Sequence, residues 1–312
     1  MSDDPSLGGE AGQARDGNGG AKHVMRVTDL QSLPDAPPPE LRYRRELEVF
    51  DAAKRLFLSR TIIAGLIVRQ IRSQYSQQFL GIAWAIITPF AQALLFSVLL
   101  GKAGKDTGID LNGVPRVLFF YGGLLAWSFF AGSVQSAGNS LVGNPLLNKV
   151  YAPREVFPLA QIASSGVNAL AGVLVLPALF LVTAHGPTAT AAWTPMLFIP
   201  LVAVTTAWAL VVAAITVYLR DLRSGLPLLV QLGMFSPGVL YPMTAVIDGP
   251  WRLVYTAILP IGPIVEEIRS TFLLGQSPDF AVTLTASISA VVYLCGCFVF
   301  FKRLETGFAD VS

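Results

Sequence analysis

The sequence predicts an all-α membrane protein: six transmembrane helices, an N-terminal interfacial helix ahead of them, and a re-entrant helical hairpin between the fifth and sixth. Three observations predict it. Long apolar runs recur, the first being FLGIAWAIITPFAQALLFSVLLG at 79–101, which contains no charged residue. At about 1.5 Å of rise per residue, such a run covers a hydrocarbon core of roughly 30 Å. Hydrophobic residues make up 53% of the 312 positions and charged ones only 13%, too little charge to keep a soluble domain of this size in solution. The basic residues also segregate along the chain, as the loops described below show.

Residues 1–40 are rich in Gly, Pro and Asp, hold no sustained apolar run, and read as a disordered cytoplasmic tail. They also lack the apolar core of a signal peptide. Over 41–78 Arg alternates with Leu, Ile and Phe. Ile63, Leu66, Ile67 and Ile71 fall at helical spacing, with Arg60, Arg69 and Arg72 flanking them. This is the pattern of an amphipathic helix lying on the membrane surface, apolar side down.

The spans expected from hydropathy are 79–101, 117–139, 156–184, 193–219, 226–247 and 280–301, within a transmembrane domain of 79–312. The apolar piece at 253–265 is too short to cross and is broken by Pro260, Gly262 and Pro263, so it reads as re-entrant. Six spans put both termini on one side. From Leu41 onward fourteen Lys or Arg fall on that side against five on the other, which places the termini in the cytoplasm.

Several chemistries are poorly supported. Cys295 and Cys297 are two apart on one expected helix, and His23 and His185 are the only histidines, so neither a disulfide framework nor a metal site is expected. Glu266 and Glu267 are adjacent, so they diverge on a helix; a local pair with Arg269 is the better expectation than a catalytic dyad. No Asp, Glu, Lys or Arg lies inside the six spans, which argues against an ion-coupled pump. The chain also lacks a GxxxxGK[ST] loop, so the reading is a permease, not an enzyme, whose energy comes from another chain.

The most specific motif is NPLLNKVYAPREVFP at 144–158, a short helix and Pro-fixed turn expected to expose Lys149, Arg154 and Glu155 as a polar knob. Here the sequence resembles the ABC-2 type exporter permeases, in particular the Wzm-like branch that moves O-antigen, capsule and teichoic acid polymers. RQIRSQYSQQFLGIAWAIITP at 69–89 is similar to the family's entry pattern, YLRDL at 218–222 to its second cytoplasmic loop and FSPGVLY at 235–241 to its break in the fifth span, in the same order. Two positions depart from its pattern: Ala152 replaces an aromatic residue, and Ile261-Gly262-Pro263 replaces an Asn-Pro.

The resemblance implies a homodimer paired with two copies of a separate nucleotide-binding subunit that carries ATP and Mg, in a bacterial inner membrane. It implies a coupling loop of Asn148, Lys149, Tyr151, Pro153, Arg154 and Glu155, and a gate helix carrying Arg69, Arg72 and Tyr75. The cargo would be a lipid-linked polysaccharide. The excess of Arg over Lys suggests a GC-rich genome, in which a cell-wall galactan is one such cargo. Aromatic faces suit sugar rings, so Tyr121, Trp127 and Phe130 are candidates for the sugar path. The alternatives are an ABC-2 permease for a lipid, glycolipid or drug, and a membrane-embedded glycosyltransferase or acyltransferase.

Overall fold

A computed structural model describes residues 60–75, 81–103, 111, 113–142, 153–247 and 249–308. Among these residues every regular element is helical. In chain order they are α1 (Arg60–Tyr75), α2 (Ala83–Ala103), α3 (Arg116–Gly138), α4 (Val156–Val173), α5 (Leu176–Thr183), α6 (Thr194–Tyr218), α7 (Leu222–Gly233), α8 (Trp251–Ile258), α9 (Ile261–Arg269) and α10 (Phe280–Glu305). A 3-10 turn at Ala189–Trp193 precedes α6, and a π turn at Ser270–Leu274 follows α9.

Five stretches are long and apolar enough to cross a membrane: α2, α3, α4 with α5, α6 with the turn before it, and α10. Helix α3 is the axis of the bundle. Of its span 72% is buried, against 56% for α6, 22% for α10 and 11% for α2, so α3 is the most enclosed helix while α2 and α10 keep broad apolar surfaces outward. Its small residues permit the enclosure. A Cβ on Gly123 would lie 2.7 Å from the carbonyl oxygen of Val239, and one on Gly138 would lie 2.8 Å from the Leu226 side chain. Backbones therefore approach α3 more closely than any larger residue allows.

Five of the expected spans match these helices to within a few residues, whereas the expected span at 226–247 does not. Helix α7 ends at Gly233, and its twelve residues extend about 18 Å, too short to cross. Turns follow from Met234, with Gly238 at φ +96°, a conformation that suits glycine. The C-terminus of α6 lies against that of α10 through Tyr218 and Leu304, and Arg223 in α7 reaches Asn139 at the same end. The segment between Leu222 and Asp279 therefore has to carry the chain back along the whole bundle, and it does so by a broken path.

A broken path frees backbone polar groups that a continuous helix would satisfy, and each one buried without a partner costs about 1–3 kcal/mol. Here α9 supplies the partners. Arg269 is fully buried, donates to the Val239 carbonyl at 2.7 Å and the Gly238 carbonyl at 3.4 Å, and stacks its guanidinium 4.0 Å from the Phe119 ring centre. Glu266 accepts the Met243 N–H at 2.7 Å, and Glu267 accepts the Asp279 N–H at 3.1 Å. Arg269 and Glu266 attract each other through their charges, as the spacing led us to expect, while the hydrogen bonds of Arg269, Glu266 and Glu267 go to backbone groups that the break has exposed. Tyr255 adds a hydrogen bond to the Pro237 carbonyl at 3.0 Å.

The departure at Gly262 has a steric cause. A Cβ there would stand 2.2 Å from the Pro237 oxygen, and one on Gly238 would stand 2.4 Å from the Gly262 oxygen. The two backbones cross where neither tolerates a side chain. Gly262→Ala is expected to lower the yield of folded, detergent-extracted protein at least fivefold by size-exclusion chromatography. Gly296→Ala in α10, where a Cβ meets nothing within 4 Å, is expected to leave it unchanged.

Candidate functional site: where four helix ends meet

Of the expected coupling loop, Asn148, Lys149, Tyr151 and also Ala152 lie outside the described residues. Its last three members lie within them, at the start of α4. Pro153 accepts the N–H of Val156 at 3.0 Å and so opens the first turn. Arg154 holds its guanidinium 5.4 Å from the Phe308 ring centre, near the cation–π distance.

Glu155 is not the exposed knob that the sequence suggested, since it is only 1% exposed. Its Oε2 accepts from Lys302 Nζ at 2.7 Å, and that ammonium also reaches Glu305 at 2.9 Å. The correction has a plain physical reason. The chain turns into α4 directly beneath the end of α10, and a carboxylate enclosed there needs a cation close by. Breaking such a buried pair by removing one partner costs about 3–5 kcal/mol, because it leaves a charge uncompensated.

Lys302 is one strand of a wider clasp. The Tyr218 hydroxyl donates to the Leu304 carbonyl at 2.8 Å, joining the end of α6 to the end of α10. Phe308 packs against Tyr218, Phe301 and the Arg154 guanidinium. Arg223 donates to Asn139 Oδ1 at 2.7 Å, joining the first turn of α7 to the end of α3. The ends of α4, α6 and α10 are therefore held together by polar groups, so the start of α4 cannot shift without straining α10. Sequence reasoning had Arg154 and Glu155 but missed Lys302, Glu305, Tyr218 and Phe308 as their partners. The three-residue spacing of Lys302 and Glu305 hinted at a local pair, whereas Glu155 lies 147 positions away.

Helix α1 runs along α4. Leu66, Ile67 and Ile71 are half-buried while Arg69 and Arg72 are exposed, an amphipathic arrangement of the kind the spacing predicted. Tyr75 is its last residue. The aromatic candidates are placed differently from an open path. Tyr121 is fully buried, and its hydroxyl donates to the Gly172 carbonyl at 2.7 Å. Trp127 and Phe130 are also buried, with ring centres 5.1 Å apart. All three serve the core around α3 within this chain.

Comparison with known proteins places this geometry. The chain is 25% identical over 259 residues to an O-antigen export system permease protein RfbA of Myxococcus xanthus, covering 82% of this chain and 97% of that protein. Two permease proteins of the same name from Klebsiella pneumoniae are each 21% identical, over 78% of this chain and 92% of their own length. Residues 62–273, from the middle of α1 to the π turn, match the ABC-2 type transporter family. A multi-pass helical bundle that agrees with that family over most of its length belongs to it: this chain is a member of the ABC-2 type transporter family.

Proposed function

We propose that this chain is the permease subunit of an ATP-driven exporter that moves a lipid-linked polysaccharide outward across the inner membrane. One observation carries the reading: relatives matched over 92–97% of their own length, and over 78–82% of this chain, are named as O-antigen export permeases. In this proposal two copies form the translocating unit, and two copies of a nucleotide-binding subunit hold ATP and Mg.

The broken path after α7 makes the fifth of six crossings, with α8 and α9 as the re-entrant pair. Both termini are then cytoplasmic. Arg154, Arg220, Arg223, Lys302 and Arg303 lie at the clasp end, which agrees with a cytoplasmic face. The loop from Asn148 to Glu155 docks on the nucleotide-binding subunit. Arg69 and Arg72 on α1 face the anionic headgroups where the lipid carrier enters.

The clasp supplies the force path. When the partner subunits close on ATP, the loop pushes the start of α4. Lys302 passes that displacement to α10, and Tyr218 passes it to α6, so packed helices move as rigid units. The charges do no chemistry; they keep the cytoplasmic ends in register.

Deleting the chain is expected to remove the polymer from the cell surface and to build up its lipid-linked form inside, as measured by glycan gel electrophoresis of fractionated cells. Lys302→Met is expected to lower export at least tenfold while ATP hydrolysis by the assembled transporter changes less than twofold. The exposed neighbour, Arg303→Ala, is expected to leave both near wild type. Loss of hydrolysis in step with export in Lys302→Met protein would contradict the force path through the clasp.

A further inference from the structure

A groove of about 530 Å³ opens between α2, α3 and α4. Its volume lies in the range of small-ligand sites, roughly 300–1,000 Å³. Trp84, Thr88, Pro89 and Gln92 line it from α2, Ser128 and Gly132 from α3, and Ser165 and Asn168 from α4. On each helix these positions recur about one turn apart, so each helix turns one polar face to the same space.

The lining carries no charge. Its polar groups are hydroxyls, amides and one indole, set among the apolar Ala85, Pro89, Gly132 and Ala169, in the membrane-crossing part of the bundle, where an unmatched polar group is costly. Ser128 is satisfied locally by the Leu125 carbonyl at 2.8 Å. Among the described residues the side chains of Thr88, Gln92 and Ser165 form no hydrogen bond. Pro89 adds an acceptor, since it has no N–H to give the carbonyl of Ala85, which also lines the groove. Trp84 is 49% exposed at the rim and presents a free aromatic face.

We propose that this groove binds neutral sugar rings of the exported polymer. A pyranose or furanose offers one apolar C–H face, which stacks on an indole, and a rim of hydroxyls, which both donate and accept. Thr88, Gln92, Ser165 and the Ala85 carbonyl match that rim. No cation is present for a phosphate or a uronate, so the site selects the uncharged part of the glycan over its lipid-phosphate end. The inference rests on the polysaccharide reading above and moves the sugar contact from Tyr121, Trp127 and Phe130 to α2.

The test uses the full chain in its own cells with a photoreactive p-benzoylphenylalanine placed at Thr88, or at Leu181 on the exposed face of α5 as control. After irradiation, the purified chain is probed for periodate-oxidisable glycan. A glycan adduct at least fivefold stronger from the Thr88 position than from Leu181 is expected. Trp84→Ala is expected to cut surface polymer at least fivefold at equal membrane abundance, with Trp84→Phe keeping more than half. Equal adducts at the two positions, no adduct at Thr88, an adduct that holds lipid phosphate without sugar, or full export by Trp84→Ala overturns the groove assignment. If deletion of the chain removes surface polymer while any of these occurs, only the groove fails; if deletion leaves surface polymer intact, the polysaccharide reading fails.

Discussion

The constraint on which this structure depends is the return path after α7, where a chain too short and too bent to be a spanning helix passes through the bundle. Its loose carbonyls and N–H groups are met by α9, and chiefly by Arg269, whose guanidinium reaches two carbonyls and rests on Phe119. Arginine suits this position because its planar fork addresses several acceptors at once and stacks on an aromatic ring. The glycines of α3 follow from the same demand: Gly123 leaves room for both the Val239 carbonyl and the Arg269 head group. Helix α3 is therefore central because it must admit this crossing, and its aromatic residues fill the space around it.

Ionisable groups in the described bundle are concentrated in two places and serve one purpose in each. At one, Arg269, Glu266 and Glu267 hold a broken backbone. At the other, Lys302, Glu155 and Glu305 hold separate helices. A buried ion pair adds little net stability, because desolvation offsets most of the attraction, but it penalises every alternative arrangement. That property suits a moving part. In the proposed exporter, the helices at the clasp would shift together or leave a charge stranded, so a displacement applied at α4 would be delivered to α10.

Much of the fold was legible in the sequence because span length and charge segregation are local signals. Helices α2, α3, α6 and α10 fall where hydropathy put them, and the turn at Leu259–Pro260 falls inside the piece judged too short to cross. Hydropathy alone drew 226–247 as one stretch because it carries no charge, whereas FSPGVLY at 235–241, which resembles the family's break in the fifth span, marks the place where Ser236, Pro237 and Gly238 unwind the helix. The role of Glu155 was hidden for a different reason. A charged residue beside a proline in a loop looks solvated, and only the arrival of α10 encloses it. Tyr121 and Trp127 were singled out for their aromatic faces, which are equally the faces that pack a helix on all sides.

The neutral groove and the charged ends together fit the transport of a polymer. A carrier for a small ion can hold its cargo tightly once per cycle, whereas a long glycan has to slide and its contacts have to break ring by ring. Hydroxyl and amide contacts of about 0.5–1.5 kcal/mol net each suit that task, while a charge-assisted bond of about 1.5–3 kcal/mol would pin the chain. Keeping ionisable groups off the groove and committing them to Arg269 and Lys302 separates two requirements: weak, repeatable contact where the sugar passes, and strong, singular contact where helices must stay in register. In the proposed exporter the uncharged run of α2 from Ala83 to Gly101 then has a physical role beyond crossing the membrane, because it keeps the glycan path slippery.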